Sequence, residues 1–265
     1  MIRALVLTLL FALASLPPAN AFSTDDVLGG AILPGWKTEA GRMVALRLDL
    51  APGWKTYWRD PGNVGIPPRF DWSESSNLRS VHLFWPSPKV FESSGLKSIG
   101  YHDRLVLPIE LEAKDPNKPI DLSVRIELGV CDNICVPAKL RLTALVGGPD
   151  APSPEIHAAL GAQPASGKAA GFRPPVCVLA PSKDGLRLTA RLSMPEETAQ
   201  AVAIETTDPS LQFRAPRLDH QGSATSVETE AIFTGPGAIA LDRSKLMITV
   251  IGRDRALEFL GCPAP

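Results

Sequence analysis

From Ile120 to Val130 every second residue is apolar, with Leu122, Val124, Ile126 and Leu128 on one face and charged or polar residues on the other. After a short interruption, Ala138 to Val146 repeats the pattern, setting Leu140, Leu142 and Ala144 against Lys139, Arg141 and Thr143. A period of two belongs to a half-buried strand. Two such runs joined by Cys131-Asp132-Asn133-Ile134-Cys135-Val136-Pro137 read as a β-hairpin with two cysteines at its tip. Long amphipathic strands must bury one face, so the hairpin demands further sheet around it. The same alternation recurs at Arg42 to Leu50, and further strands are expected at Val81 to Trp85 and Leu105 to Leu111. Twenty-six prolines and twenty-one glycines lie between these short runs, which points to an all-β chain. Strands at this spacing, with turn signals between them, predict a β-sandwich.

Between Gly147 and Gly171 the composition turns to Gly, Pro, Ala and Ser, broken only by Glu155 to Leu160, a short helical stretch. This reads as a linker. Beyond it a second, smaller β-rich unit is expected, with strands at Gly185 to Ser193, Ala201 to Glu205, Val227 to Phe233, Leu246 to Ile251 and Ala256 to Leu260. All five tryptophans and both tyrosines lie between residues 36 and 101, so the two units carry different duties.

Arg3, the apolar run Ala4 to Leu16 and the small-residue site Ala19-Asn20-Ala21 form a secretory signal pattern, with cleavage expected near Ala21. The apolar run is shorter than the roughly 20 residues of a membrane span. The expected division is therefore a signal peptide over 1–21, a first sandwich over 22–147, a linker over 148–170 and a second β domain over 171–265. Export places the cysteines in an oxidising compartment. A net charge of −1 without a basic cluster gives no surface for nucleic acid. His82, His102, His157 and His220 are dispersed, and no Ser-His-Asp or paired-carboxylate arrangement suggests a hydrolase.

Cys177 and Cys262 bracket the second unit, and joining them would close a loop of about 85 residues, a structural disulfide worth about 4–5 kcal/mol in the chain-entropy picture. Cys131 and Cys135 are different. A turn of their length can bring two Cα atoms within the roughly 4.4–6.8 Å that a disulfide requires. So short a loop removes little denatured-state entropy, and short exposed disulfides are the exchanging kind. Three uses stay open on the residues alone: redox exchange, a structural staple, or two thiolates on a soft ion such as Cu(I) or Zn(II) with His102 or a methionine. No second Cys or His follows at ligand spacing and Met43, Met194 and Met247 are scattered, so neither a metal site nor a cofactor is expected.

No helix follows either cysteine, and Asp132 places a negative charge beside Cys131, which disfavours a thiolate there. Such a pair reacts slowly with random disulfides and exchanges when a partner docks, and the flanking residues lean towards Cys135 as the attacking sulfur. The segment Trp85 to Gly95 is expected as a loop over the hairpin tip, with Phe91 as an apolar lid, followed by Glu92, Ser93 and Ser94, and Gly95 as the pivot.

Trp54-Lys55-Thr56-Tyr57-Trp58-Arg59-Asp60-Pro61-Gly62, then Trp85-Pro86-Ser87-Pro88, then Gly100-Tyr101 leading to Leu107-Pro108, then Gly129-Val130-Cys131 through Cys135-Val136-Pro137, resembles the N-terminal periplasmic domain of DsbD-type disulfide reductases. The three-residue cysteine spacing is closer to the branch of suppressor-of-copper-sensitivity protein B. The resemblance covers about residues 36 to 146. It implies an immunoglobulin-like sandwich, with Cys131 and Cys135 as the exchanging pair and a protective cap at Phe91 to Gly95. It further implies a membrane-embedded thiol reductase as electron donor and a periplasmic thioredoxin-fold protein as acceptor. Family members usually continue into a membrane conduit and a thioredoxin-like domain. With Pro265 as the last residue, the donor is expected to be a separate protein and this one a monomer. A copper-binding or scaffold module with a permanently closed hairpin disulfide is the competing expectation.

Overall fold

A computed structural model describes residues 24–93, 95–183, 185–194, 199–233 and 241–265. The expected signal peptide and the cap residue Ser94 lie outside these residues. The first part of the chain contributes β1 (Leu28–Leu33), β2 (Arg42–Leu50), β3 (Lys55–Gly62), β4 (Arg69–Asp71), β5 (Leu78–Leu83), β6 (Lys89–Ser93), β7 (Leu96–His102), β8 (Arg104–Ala113), β9 (Ile120–Cys131) and β10 (Cys135–Val146). They form two sheets, ordered β1-β2-β8-β5 and β10-β9-β3-β7-β6, with β4 beside β9. The alternating residues of β2, β8 and β9 meet between these sheets: Leu46, Leu107, Ile109, Leu122, Val124 and Ile126 are fully buried, together with Trp58. The result is a β-sandwich whose core is the apolar half of the period-2 pattern.

The stretch expected as a linker is folded against this sandwich. Helix α1 (Pro154–Gly161) is capped by Ser153, whose side chain accepts from the Ile156 N–H. Its buried Ile156 packs on Met43 and Ala45, His157 stacks on Trp36 at 4.3 Å, and the Ser87 N–H donates to the Ala162 carbonyl.

The remainder contributes β11 (Ala165–Ser166), β12 (Val176–Pro181), β13 (Gly185–Leu192), β14 (Ala201–Thr206), β15 (Leu211–Phe213), β16 (Arg217–Gln221), β17 (Ala224–Phe233), β18 (Leu246–Ile251) and β19 (Ala256–Leu260). One sheet runs β11-β19-β18-β14 and the other β12-β13-β17-β15, with β16 also on β17. The first of these sheets is covered on both faces. Val202, Ile204, Ile248, Val250, Leu257 and Phe259 enter the core shared with the second sheet. The alternate residues Ala201, Ala203, Ile251 and Ala256 join the core of the first sandwich, and three of the four are alanine, which lets the sandwiches approach closely. The all-β architecture of two sandwiches agrees with the fold class read from the sequence. Cys177 in β12 is bonded to Cys262 just after β19, so the bridge ties the two C-terminal sheets together. Both sulfurs lie in the core, and the Cys177 N–H donates to the Pro263 carbonyl.

Candidate functional site

Cys131 ends β9 and Cys135 starts β10. They face each other in register, their Cα atoms are 4.2 Å apart, and they are disulfide-bonded. The sequence places both sulfurs at an exposed tip, but the structure separates them by access. Cys131 is fully buried, whereas Cys135 is exposed beside Ile134, which is 62% exposed. Topology accounts for the difference. β9 is an inner strand, with Lys55 of β3 opposite Cys131 on its other side, while β10 is the last strand of its sheet.

The group covering Cys131 is Tyr57, which is 2% exposed. Its hydroxyl lies 2.7 Å from Cys131 Sγ and 3.3 Å from Cys135 Sγ. The ring is seated by glycines. A Cβ on Gly65, whose φ is +139°, would stand 2.5 Å from two ring carbons, and one on Gly129 would stand 3.1 Å from a third. The Gly129 N–H donates to the Ile66 carbonyl and Thr56 Oγ1 donates to the Gly129 carbonyl, so the 62–68 loop, β3 and β9 are fastened together around the ring.

The expected cap loop is a hairpin of β6 and β7 rather than an irregular lid. Phe91 pairs with Ser98, Glu92 with Lys97 and Ser93 with Leu96, and Gly95 takes φ +76° in the turn. The Phe91 ring meets the His102 ring edge-on at 4.7 Å and has Lys55 Nζ 5.3 Å from its centroid. Lys55 and His102 are cross-strand partners, and Cys131 is the partner of Lys55 on the other side. Phe91 and the cysteine pair therefore share one sheet face. Among the described residues no group of three or more His, Cys, Asp or Glu side chains gathers to hold a metal ion.

Two residues beyond Tyr57, Arg59 reaches the second sandwich. Its Nε donates to both carboxylate oxygens of Glu205 at 2.9 and 3.0 Å, and Nη2 donates to Glu258 at 2.7 Å. Its guanidinium also lies 4.2 Å from the Trp58 ring centroid. On β7, Lys97 Nζ donates to the Gln200 carbonyl. Burial, with the nearby Glu205 charge adding to it, pushes the Asp60 carboxyl up from 3.8 to about 6, against the pull of the Gly62 N–H and Arg59. The folded state thus binds this proton more tightly than the unfolded chain, so stability should fall as pH rises from 3.8 to about 6. Asp60→Asn is expected to remove that slope and to raise stability above this window by about 3 kcal/mol. Denaturant midpoints across the pH series check it, and an unchanged slope would count against it.

The sandwich fold and its hairpin disulfide define a class, an all-β disulfide-bearing domain suited to thiol:disulfide exchange. Residues 31–147 match the sequence model of the family described as "Thiol:disulfide interchange protein DsbD, N-terminal", so this part of the chain is similar to a DsbD-type N-terminal domain. The crystal structure of the N-terminal periplasmic domain of ScsB from Proteus mirabilis aligns over 90% of this chain and 94% of its own, at 23% identity and TM-score 0.56. That likeness extends the shared fold through the second sandwich. The reduced N-terminal domain of DsbD from Neisseria meningitidis aligns over 51% of this chain and 92% of its own, at 17% identity and TM-score 0.28. No curated protein matches the chain. Among the described residues no helix is long and apolar enough to cross a membrane.

Tyr57, Lys55 and Arg59 have no assigned role in the sequence reading, although all three fall inside its first quoted motif. Their partners lie 74, 76 and 146 to 199 residues away, and only the strand order brings them together.

Proposed function

We propose that this chain is an exported thiol:disulfide exchange protein of the periplasm that relays electrons through Cys131 and Cys135. A membrane-embedded thiol reductase supplies the electrons and a periplasmic thioredoxin-fold protein takes them. Residues 22–147 form the redox domain, 148–170 the connection and 171–265 a second domain. The observation carrying this reading is the asymmetric disulfide, with one sulfur open to another protein's thiol and the other enclosed. The family match over 31–147 supports the same chemistry. A donor thiolate attacks Cys135 Sγ, the Cys131–Cys135 bond breaks, and Cys131 leaves as a thiolate. The second thiol of the donor, deprotonated, then attacks the donor sulfur of the mixed disulfide and releases Cys135. The donor ends as a disulfide and the pair as a dithiol, and the reduced pair passes its electrons on by the reverse sequence. The hairpin carrying Phe91, Glu92, Ser93 and Gly95 shields the reduced pair between encounters.

The Cys131→Ser variant leaves the reachable thiol in place and is expected to trap a mixed disulfide with a thioredoxin-fold partner in exported extracts. Cys135→Ser should trap at least about tenfold less, because its remaining sulfur is enclosed. The relay reading fails if neither variant captures such a partner, or if the pair's reduction potential lies well below about −300 mV, the range of structural bridges.

A further inference from the structure

When Cys135 is attacked, the sulfur that must accept the charge is Cys131, and its surroundings are poor for an anion. It is fully buried and Asp132 follows it directly in the chain. Burial without a partner disfavours the charged form of a thiol. The cation opposite in register does not compensate, because Lys55 Nζ turns to Ser98 Oγ, at 3.3 Å, and to the Phe91 ring. His102 is one strand further along and faces Phe91 and the Trp54 carbonyl. The Tyr57 hydroxyl, by contrast, touches both sulfurs. Neither sulfur of a disulfide carries a hydrogen, so the hydroxyl is the donor.

We propose that Tyr57 is a catalytic residue of the exchange: its hydroxyl donates a hydrogen bond to Cys131 Sγ and holds the charge that develops there as the sulfur leaves. The inference rests on the relay reading above and adds the group that makes Cys131 a competent leaving thiolate. No proton moves in this step. The electron pair of the broken S–S bond stays on Cys131, a new S–S bond joins Cys135 to the donor, and Tyr57 keeps its hydrogen. Hydrogen bonds to an ionised acceptor are the stronger kind, so this contact tightens as the charge forms. Burial holds the Tyr57 phenol above its usual value, which keeps it protonated and donating. The Gly65 and Gly129 seat fixes the ring, so the donor is in place before the reaction begins. A thiol that leaves as a better-stabilised anion leaves faster.

Tyr57→Phe keeps the ring in its seat and removes only the hydroxyl. In a Cys135→Ser background, Cys131 should then titrate about one pH unit higher, a tenfold loss of thiolate at a given pH. In the chain with both cysteines, dithiothreitol should reduce Cys131–Cys135 about three- to tenfold more slowly. Placing 3-fluorotyrosine at position 57 supplies a stronger donor in the same seat, and near neutral pH it should accelerate that reduction. A merely structural tyrosine predicts no such opposite movement, and this arm also decides the matter if Tyr57→Phe does not fold. Unchanged titration and rate in Tyr57→Phe, or no acceleration by the fluorinated ring, would overturn the proposal. Because the titration and the dithiothreitol rate need no protein partner, their failure is distinct from failure of the single-cysteine variants to trap one.

Discussion

Converting Cys177 and Cys262 together to alanine is expected to lower the chain's stability by about 4 kcal/mol, since their bridge closes a loop of 85 residues. The bond joins β12 of one C-terminal sheet to the residue just after β19 of the other, with both sulfurs enclosed in the core. Its loss frees the denatured chain while leaving the native sheets paired. The aromatic distribution makes the effect separable, because all five tryptophans belong to the first sandwich. Tryptophan fluorescence reports that sandwich alone, whereas far-ultraviolet circular dichroism reports both. In the double variant the dichroism transition should begin at lower denaturant than the fluorescence transition. Reduction of Cys131–Cys135 by dithiothreitol under native conditions should keep its rate. A denaturant midpoint equal to that of the unsubstituted chain would refute the assignment.

Arg59→Ala is expected to cost about 2–3 kcal/mol, less than the 3–5 kcal/mol of a fully buried pair. The discount follows from exposure, since the side chains of Arg59, Glu205 and Glu258 retain 27%, 27% and 26% of their accessible surface. The loss arises because two carboxylates would face the first sandwich without their cation, and because the stacking on Trp58 disappears. Arg59→Lys should restore only part of it, as one ammonium cannot reproduce a fork that serves two carboxylates. Adding Glu205→Gln and Glu258→Gln to Arg59→Ala should recover part of the loss by removing the uncompensated charges. Denaturant midpoints for this set form a mutant cycle. A change of less than about 0.5 kcal/mol in Arg59→Ala would mean that apolar packing alone holds the sandwiches together.

Strands made of short alternating or continuous apolar runs are legible in the sequence. β2, β18 and β19 occupy the expected spans, and β9 and β10 extend theirs only to take in the two cysteines. β3 escapes that reading because its outward residue Tyr57 is itself buried, under the 62–68 loop, so Lys55 to Gly62 shows no clean alternation. β6 escapes it because a five-residue edge strand with exposed Lys89, Glu92 and Ser93 resembles a loop in composition. The cysteine pair was visible as a motif, but its inequality was not. That property comes from β3 lying against one side of β9, a contact across 76 residues of chain that no local pattern encodes. The Arg59 fork was hidden for the same reason, since its carboxylates sit on two strands of another sandwich.

β10 lies at the end of its sheet, and there crowding matters. A twelve-residue strand with an open flank is a template on which further copies could line up and aggregate. Pro137 removes one backbone donor near its start, and Lys139 and Arg141, paired with Glu127 and Glu74, set charged side chains along its solvent-facing side. These features should keep the molecule dispersed at high concentration, while the short run from Cys135 to Pro137 at the same margin stays approachable by a visiting thiol.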